Sequence, residues 1–484
     1  MKISERVRQM VRDFLRIDPA SQNSVTIQQE MDYQTNAFKN RIWYRGNAYE
    51  LNQFYRQLPN YKQSFWGSVP TTGLEIKKVH TGLPKIIVDT LTNIVISDFN
   101  GFDFGDDAEG EKLWEQIADE NNFLKLLKKA LKETQYVGDG AWKISFDSDL
   151  SELPILEWFG GDEIEIVKER GRVKEIVFFI KYKKKSKTYT LEEHYGFGYI
   201  DYKLYNGENE VDLSTLEETA NLAPVVFDKS VMLAVPMLIT ESEEWDGRGQ
   251  SIFDGKCDNF DSLDETYSQL IQAMRNARGN KYIPQSLIPR DPKNGMLMRP
   301  NAFDNQFIQI EDDNSENGKN EIKLEQPAFP SNDYLATYST ALDLCLQGLI
   351  SPSTLGIDVK KLDNAEAQRE KEKATLYSRA NIIEALEEIL PVLVNVACKS
   401  YYILKKQAKD GPEVTVTFGE YANPSFEAMV ETLSNPNTPM SIEAKVEEMW
   451  GDSKDEEWKA EEVRRIKEQS GVVMLDEPAL NIEI

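Results

Sequence analysis

The feature that most constrains this fold is a change of period at "VGDG", residues 137–140. Before it, apolar residues recur every three or four positions, the spacing of one helical face. After it, "AWKISFDSD", "EIEIVKE", "RVKEIVFFIKYKKK", "KTYTLEEHY" and "GYIDYKLYNG" alternate apolar and polar side chains, with turns at Arg170-Gly171 and Asn206-Gly207. Such alternation marks half-buried strands. A helical region therefore gives way to an antiparallel sheet over about residues 140–211, and helices follow again, which makes the class α+β.

The helical parts carry their own punctuation. The first residues place Val7, Met10, Val11 and Phe14 on one face. Gly46-Asn47 reads as a turn before "NAYELNQFYRQL", where Tyr49, Phe54 and Leu58 follow a helical face. Pro84 marks a helix start, with Ile86, Ile87, Leu91, Ile94 and Val95 after it. "EKLWEQIADENNFLKLLKKALKETQYV" supplies one or two more helices.

Beyond the sheet, "VMLAVPMLITESEEWDGRGQS" leads into a long helix with a stripe of Phe260, Leu263, Tyr267, Leu270, Ile271 and Met274. Its acidic residues, Asp258, Asp261, Asp264 and Glu265, come early, and Arg275 and Arg278 come late, an order that complements the helix dipole. A second helix is expected from an N-cap at Ser331, with Tyr334, Tyr338, Leu342, Cys345 and Leu349 on one stripe. The intervening stretch is rich in Pro, Asn and Gly, with short strand-like pieces and a tip at residues 312–320. The two helices are expected to lie antiparallel and to carry this small β insertion at their ends. A loop with Pro352, Gly356 and the pair Lys360-Lys361 follows, then a helix over about 364–406 with a kink expected at Pro391. A short strand in "EVTVTF", an acidic helical segment and a loose tail end the chain.

Charge and composition narrow the function. The chain has 484 residues, with 56 basic against 82 acidic side chains and a net charge of -26. That balance opposes tight nucleic-acid binding, which is driven by neutralising phosphates. It does not oppose surrounding DNA without holding it. Cys257, Cys345 and Cys398 are far apart and form no CxxC, which argues against a disulfide framework or zinc site and fits a reducing, cytoplasmic place of synthesis. With only His80 and His194, histidine-based chemistry has little scope, and His80 reads as a satisfied polar residue at a helix start. There is no apolar run of about 18 residues and no secretory h-region, so no membrane span is expected. The basic run at residues 181–187 reads as a solvated strand edge.

No catalytic constellation emerges. "DGRGQS" is Gly-rich but lacks the P-loop spacing. "GFDFGDD" has alternating carboxylates without the EF-hand pattern. GxSxG and HExxH are missing. Catalytic, cofactor and metal sites are all expected to be absent.

The order of parts resembles the portal proteins of tailed bacteriophages, of the long non-contractile-tail (siphophage) type. "NRIWYRGN" followed by "HTGLPKIIVDTLTNIVISD" resembles that family's N-terminal region. "ESEEWDGRGQSIFDGKCDNFDSLDETYSQLIQAMRNARGNKYIP" resembles the approach to the first stem helix, that helix and the entry to the clip. "QGLISPSTLGIDVKKLDNAEAQREKEKATLYSR" resembles the tunnel loop and the helix behind it. The resemblance implies a wing at 1–240 with helices and the antiparallel sheet, a first stem helix with its approach at 241–278 and a small α/β clip at 279–330. It further implies a second stem helix at 331–350, a tunnel loop at 351–363, a long kinked wing helix at 364–410 and a mainly helical crown and tail at 411–484.

The resemblance also implies a ring of about twelve subunits, each surface residue being repeated by symmetry. That ring sits at one capsid vertex of the virion and is assembled in the host cytoplasm. It nucleates head assembly with major capsid and scaffolding proteins, docks the terminase large subunit, and later binds the head-tail connector (adaptor) protein. Double-stranded DNA passes both ways without sequence readout. The implied tunnel-loop residues facing DNA are Lys360, Lys361, Ser353 and Asp358, with Leu355, Ile357 and Leu362 packing loop against loop. The residues alone leave two alternatives. One is an intracellular metal-dependent nucleic-acid-processing enzyme using Asp106 or Asp107. The other is an acidic adaptor that binds a basic partner through residues 441–484.

Overall fold

Helix α1 (Tyr33–Arg45) starts where the Asp32 carboxylate accepts the Thr35 amide N–H at 2.8 Å, and it stops at Gly46, whose φ of 67° suits a residue without Cβ. Asn47 caps α2 (Ala48–Tyr55) in the same way, so the Gly46-Asn47 turn stands. These elements belong to a computed structural model that describes residues 31–59, 63–69, 76–277, 280–293, 295–298, 307–312, 320–325, 329–357, 365–419, 441–450 and 456–469. The expected N-terminal helix with Val7, Met10, Val11 and Phe14 lies outside the described residues.

Helices α3 (Leu83–Asp98), α4 (Ala108–Glu120) and α5 (Phe123–Val137) complete the first helical region. Pro84 sits in the first turn of α3, where its missing N–H costs nothing. Phe54 of α2 and Ile87, Leu91 and Val95 of α3 are buried as expected. The margins of the two faces are corrected: Tyr49 and Ile86 are exposed, and Leu51 and Tyr55 are buried in addition, a difference that a face about 100° wide permits.

The single expected sheet is two sheets. Strands β2 (Asp139–Ser145) and β3 (Ile155–Gly160) pair with each other and, through β2, with a later strand, Ala234–Leu238. The second sheet runs in order β4 (Ile164–Glu169), β5 (Arg172–Lys184), β6 (Lys187–Gly196), β7 (Tyr199–Asn206), β8 (Asn209–Val211), with β9 (Val225–Val226) also on β7. The short 3-10 turn Gly161–Glu163 divides the two sheets. The late strand Ala234–Leu238 is β10; it holds Pro236, and as an edge strand it tolerates the missing donor. The lysines of residues 181–187 are solvated, as expected: they form the tip of the β5–β6 hairpin, which runs past the neighbouring strands, since β4 pairs β5 only as far as Phe178 and β7 pairs β6 only from Thr190, so the tip has free strand edges.

After β10 come α6 (Cys257–Asn276), three short strands β11 (Asn280–Pro284), β12 (Phe307–Ile310) and β13 (Lys323–Glu325), and then α7 (Ser331–Leu346). β11 lies centrally, parallel to β12 and antiparallel to β13. Among the described residues this insertion, expected to be α/β, has three short strands and a 3-10 turn at Gln285–Leu287 but no α-helix. Ser331 is the first helical residue of α7 and not its cap; Pro330 precedes it with no side-chain cap bond.

Helix α8 (Ala365–Leu404) runs on through Pro391, and strand β14 (Thr415–Phe418) pairs antiparallel with β1 (Phe99–Asp103). A late segment is thereby stitched to the N-terminal body. Helices α9 (Ile442–Trp450) and α10 (Glu456–Gln469) pack together, with Lys467 paired to Glu443. One core joins α1 to α5, β2, β3, β10, α8 and the bases of α6 and α7, with Trp43, Trp66, Trp142, Phe253 and Phe260 almost fully enclosed. The molecule is therefore mixed α+β with mostly antiparallel sheets.

Candidate functional site

The α6–α7 pair is antiparallel. At the start of α6, Lys256 Nζ donates to the Leu344 and Gln347 carbonyls at 3.1 and 2.8 Å, and Asn259 Nδ2 reaches Leu344 O at 3.3 Å. Farther along, the Tyr267 and Tyr338 rings lie 5.9 Å apart. Lys256 thus satisfies carbonyls at the C-terminal end of α7, where positive charge is favoured. Burial is confined to the base: Cys257, Phe260, Leu263, Cys345 and Leu346 are enclosed, whereas Met274 and Leu335 are more than half exposed. The pair therefore leaves the core as an arm with β11–β13 at its far end.

Two buried carboxylates fix that arm to the N-terminal body. Asp264 accepts from Trp66 Nε1 (3.1 Å), His80 Nδ1 (2.7 Å), the Thr81 amide (2.8 Å) and Thr81 Oγ1 (2.9 Å). Asp261 accepts the Phe65 and Trp66 amides at 2.6 and 3.1 Å. Burial pushes the Asp261 carboxyl up to about 6, against the lowering effect of these amides. Lys78 donates to the Phe65, Trp66 and Ser68 carbonyls, and its partial burial pulls it down to about 8. Asp258 alone remains exposed in the first turn as a dipole partner. The expectation that Asp261 and Asp264 serve the dipole is corrected: they point into the body and hold another segment. His80 is satisfied at Nδ1 by Asp264, as expected, but its buried Nε2 has no hydrogen-bond partner among the described residues.

The loop after α7 is anchored at its first half. Thr375 Oγ1 on α8 accepts the buried Ser351 amide at 2.9 Å and lies 2.8 Å from Thr354 Oγ1. Ser378 Oγ donates to Leu349 O at 2.6 Å. Ser353 Oγ meets Ser351 Oγ at 3.0 Å, Leu355 is half-buried against the core of its own chain, and the Ile357 amide closes onto Pro352 O at 3.1 Å. One turn along α8, Arg379 Nε contacts Asp98 Oδ2 at 2.7 Å and Nη2 contacts Gly419 O at 2.5 Å, which ties the anchor to α3 and the end of β14. Of the expected loop residues, Ser353, Leu355 and Ile357 are thus placed together, while Asp358, Lys360, Lys361 and Leu362 lie outside the described residues. A cleft of about 280 Å³ beside this anchor is lined by Ile239, Gln250, Asp254, Lys256, Leu349 and Asn381.

The tempting fragments have structural duties. In "DGRGQS", Arg248 forks onto Asp139 with both contacts at 2.8 Å, and the Gly249 amide and Tyr33 hydroxyl add bonds at 2.7 and 2.8 Å. A Cβ on Gly138 would sit 2.4 Å from Gly249 O, and one on Gly249 2.2 Å from Gly138 O, so these glycines serve close backbone approach and not phosphate binding. Asp103 Oδ1 accepts the Gly105 amide and Asp107 caps α4, so "GFDFGDD" is turn and cap chemistry. Sequence reading missed the buried roles of Asp139, Arg248 and Asp264. The paired glycines around Asp139 and Arg248 were the one available signal. Among the described residues no group of three or more His, Cys, Asp or Glu side chains is arranged to hold a metal ion, and no helix is long and apolar enough to cross a membrane.

These features define an α+β body with a projecting helix pair and an anchored loop at its root. Among solved structures, the chain is similar to one from the virion of a native gene transfer agent particle, with 9% identity and a TM-score of 0.39 over 91% of this chain and 97% of that one. It is also similar to one from the neck of a native gene transfer agent particle computed with C12 symmetry, with 11% identity and a TM-score of 0.37 over 75% and 89% of the two chains. No family model and no curated protein matches.

Proposed function

We propose that this chain is the subunit of a phage portal: a ring at one capsid vertex through which double-stranded DNA is packaged and ejected. The observation that carries the reading is the helix pair α6–α7, buried at its root, tipped by the small β unit and followed by an anchored loop and the long α8. That order of parts is the one the sequence resemblance implies for stem, clip, tunnel loop and wing helix. The ring is non-enzymatic in this reading, and its partners are terminase, capsid and scaffolding proteins and the head-tail connector.

The physics of the channel follows from charge. A chain of net charge -26 repels phosphates on average, so DNA slides with few sticking points. Ser351 and Thr354 are held by Thr375 of α8, and in this reading the tunnel-loop lysines Lys360 and Lys361 follow them in sequence. Repetition around the axis turns each such lysine into a ring of charge that touches the backbone without sequence readout.

The test is electron microscopy of the purified full-length chain and of particles assembled with it. Closed rings with a central channel, and their location at one vertex, are expected. A chain that stays monomeric at high concentration and never enters capsids would remove the proposal.

A further inference from the structure

The β5–β6 hairpin ends in five exposed lysines, Lys181, Lys183, Lys184, Lys185 and Lys187, in an otherwise acidic chain. Only Lys184 has a partner among the described residues, the Thr215 carbonyl at 2.6 Å. Lys184 and Lys187 lie directly across from each other in the ladder, a like-charge pairing that weakens a hairpin. Lys185 occupies a left-handed turn position (φ 56°) that favours Gly or Asn. The inner face does not share this character: Tyr189 and Leu191 pack with Leu204 and Leu216 in a small separate core. A packed support thus carries a tip whose charges, Lys184 aside, have no partner among the described residues.

The complementary feature lies on α8. Glu384, Glu387 and Glu388 are exposed, and at spacings of three and four they share one helix face. Among the described residues none of them is in an ion pair. Their mutual repulsion is likewise uncompensated among the described residues, and exposed Tyr377 and Val392 flank them.

We propose that the lysine hairpin docks on the acidic face of α8 in a second copy of this chain. Two different patches meeting head to tail form a heterologous contact, the kind that repeats into a closed ring. Charge complementarity of this sort sets register and partner choice, and it offsets the repulsion between subunits that each carry a charge of -26. The inference rests on the ring reading and adds a specific contact to it.

The experiment compares the full-length chain with three variants: Lys181→Glu/Lys183→Glu/Lys185→Glu, Glu384→Lys/Glu387→Lys/Glu388→Lys, and the combination of all six. Circular dichroism and thermal melting check folding; native mass measurement and negative-stain imaging count rings at low and high salt. Each triple variant should lose ring yield by about tenfold at low salt, and the combined charge swap should restore it. Rings in either triple variant at the unaltered yield would overturn the proposal. So would two folded triple variants whose combination is not rescued. Normal rings combined with lost retention of duplex DNA in the hairpin variant would assign the tip to nucleic acid and equally overturn it. No rings from the unaltered chain would instead count against the ring reading.

Discussion

Asp264 offers the sharpest test of how the arm is held. The change Asp264→Ala removes the acceptor for four donors, and the His80 and Asp264 side chains are only 5% and 1% exposed. Each buried donor left without a partner costs about 1–3 kcal/mol. The four losses share one cavity and do not simply add, which puts the total at about 3–5 kcal/mol. That range is the expected loss, a large share of the roughly 5–15 kcal/mol that holds a typical domain. The change Asp264→Asn should cost less, about 2 kcal/mol, because its amide group serves only one of the two oxygens' donor sets. Urea unfolding followed by tryptophan fluorescence reads both, since Trp66 itself donates to Asp264. Hydrogen exchange at the Thr81 amide locates the effect. A loss below about 1 kcal/mol for Asp264→Ala, or unchanged protection at Thr81, would refute the assignment of Asp264 as the clamp.

Three further outcomes are expected. Arg248→Ala strands the fully buried Asp139 carboxylate and should destabilise by about 3–5 kcal/mol in the same urea assay, with Arg248→Lys recovering only part because it cannot fork. Asp261 should make stability fall with rising pH: its native carboxyl titrates at about 6 against the usual 3.8, so between these values the native state holds the extra proton, and the loss totals about 3 kcal/mol; urea midpoints over about pH 4 to 7 should lose this slope in Asp261→Asn, and equal slopes would refute it. Lys360→Ala/Lys361→Ala should leave ring assembly intact and alter packaged DNA length or retention, read by gel sizing of DNA from purified heads; unchanged length and head stability would remove the lysines' role.

The sequence by itself determined the kinds of element and their order. Helical spacing before Gly138, alternation after it, and two apolar helical stripes flanking a Pro- and Gly-rich insertion are local patterns, and the backbone geometry that reads them is local too. The likeness to a portal's order of parts was legible for the same reason. Only the tertiary structure decided the partners. Period-two alternation does not say that β2 and β3 leave the larger sheet to pair with β10, or that β14 returns to β1 across more than 300 residues. Asp258, Asp261 and Asp264 look alike along the chain. The rotation of α6 exposes the first and turns the other two into the body, where the donors from residues 65–81 wait. In the same way "DGRGQS" gives no local reason for its glycines; the reason appears where Gly138 and Gly249 meet and Arg248 closes on Asp139. Long-range pairing depends on which surfaces bury each other, and no window of neighbouring residues contains that information.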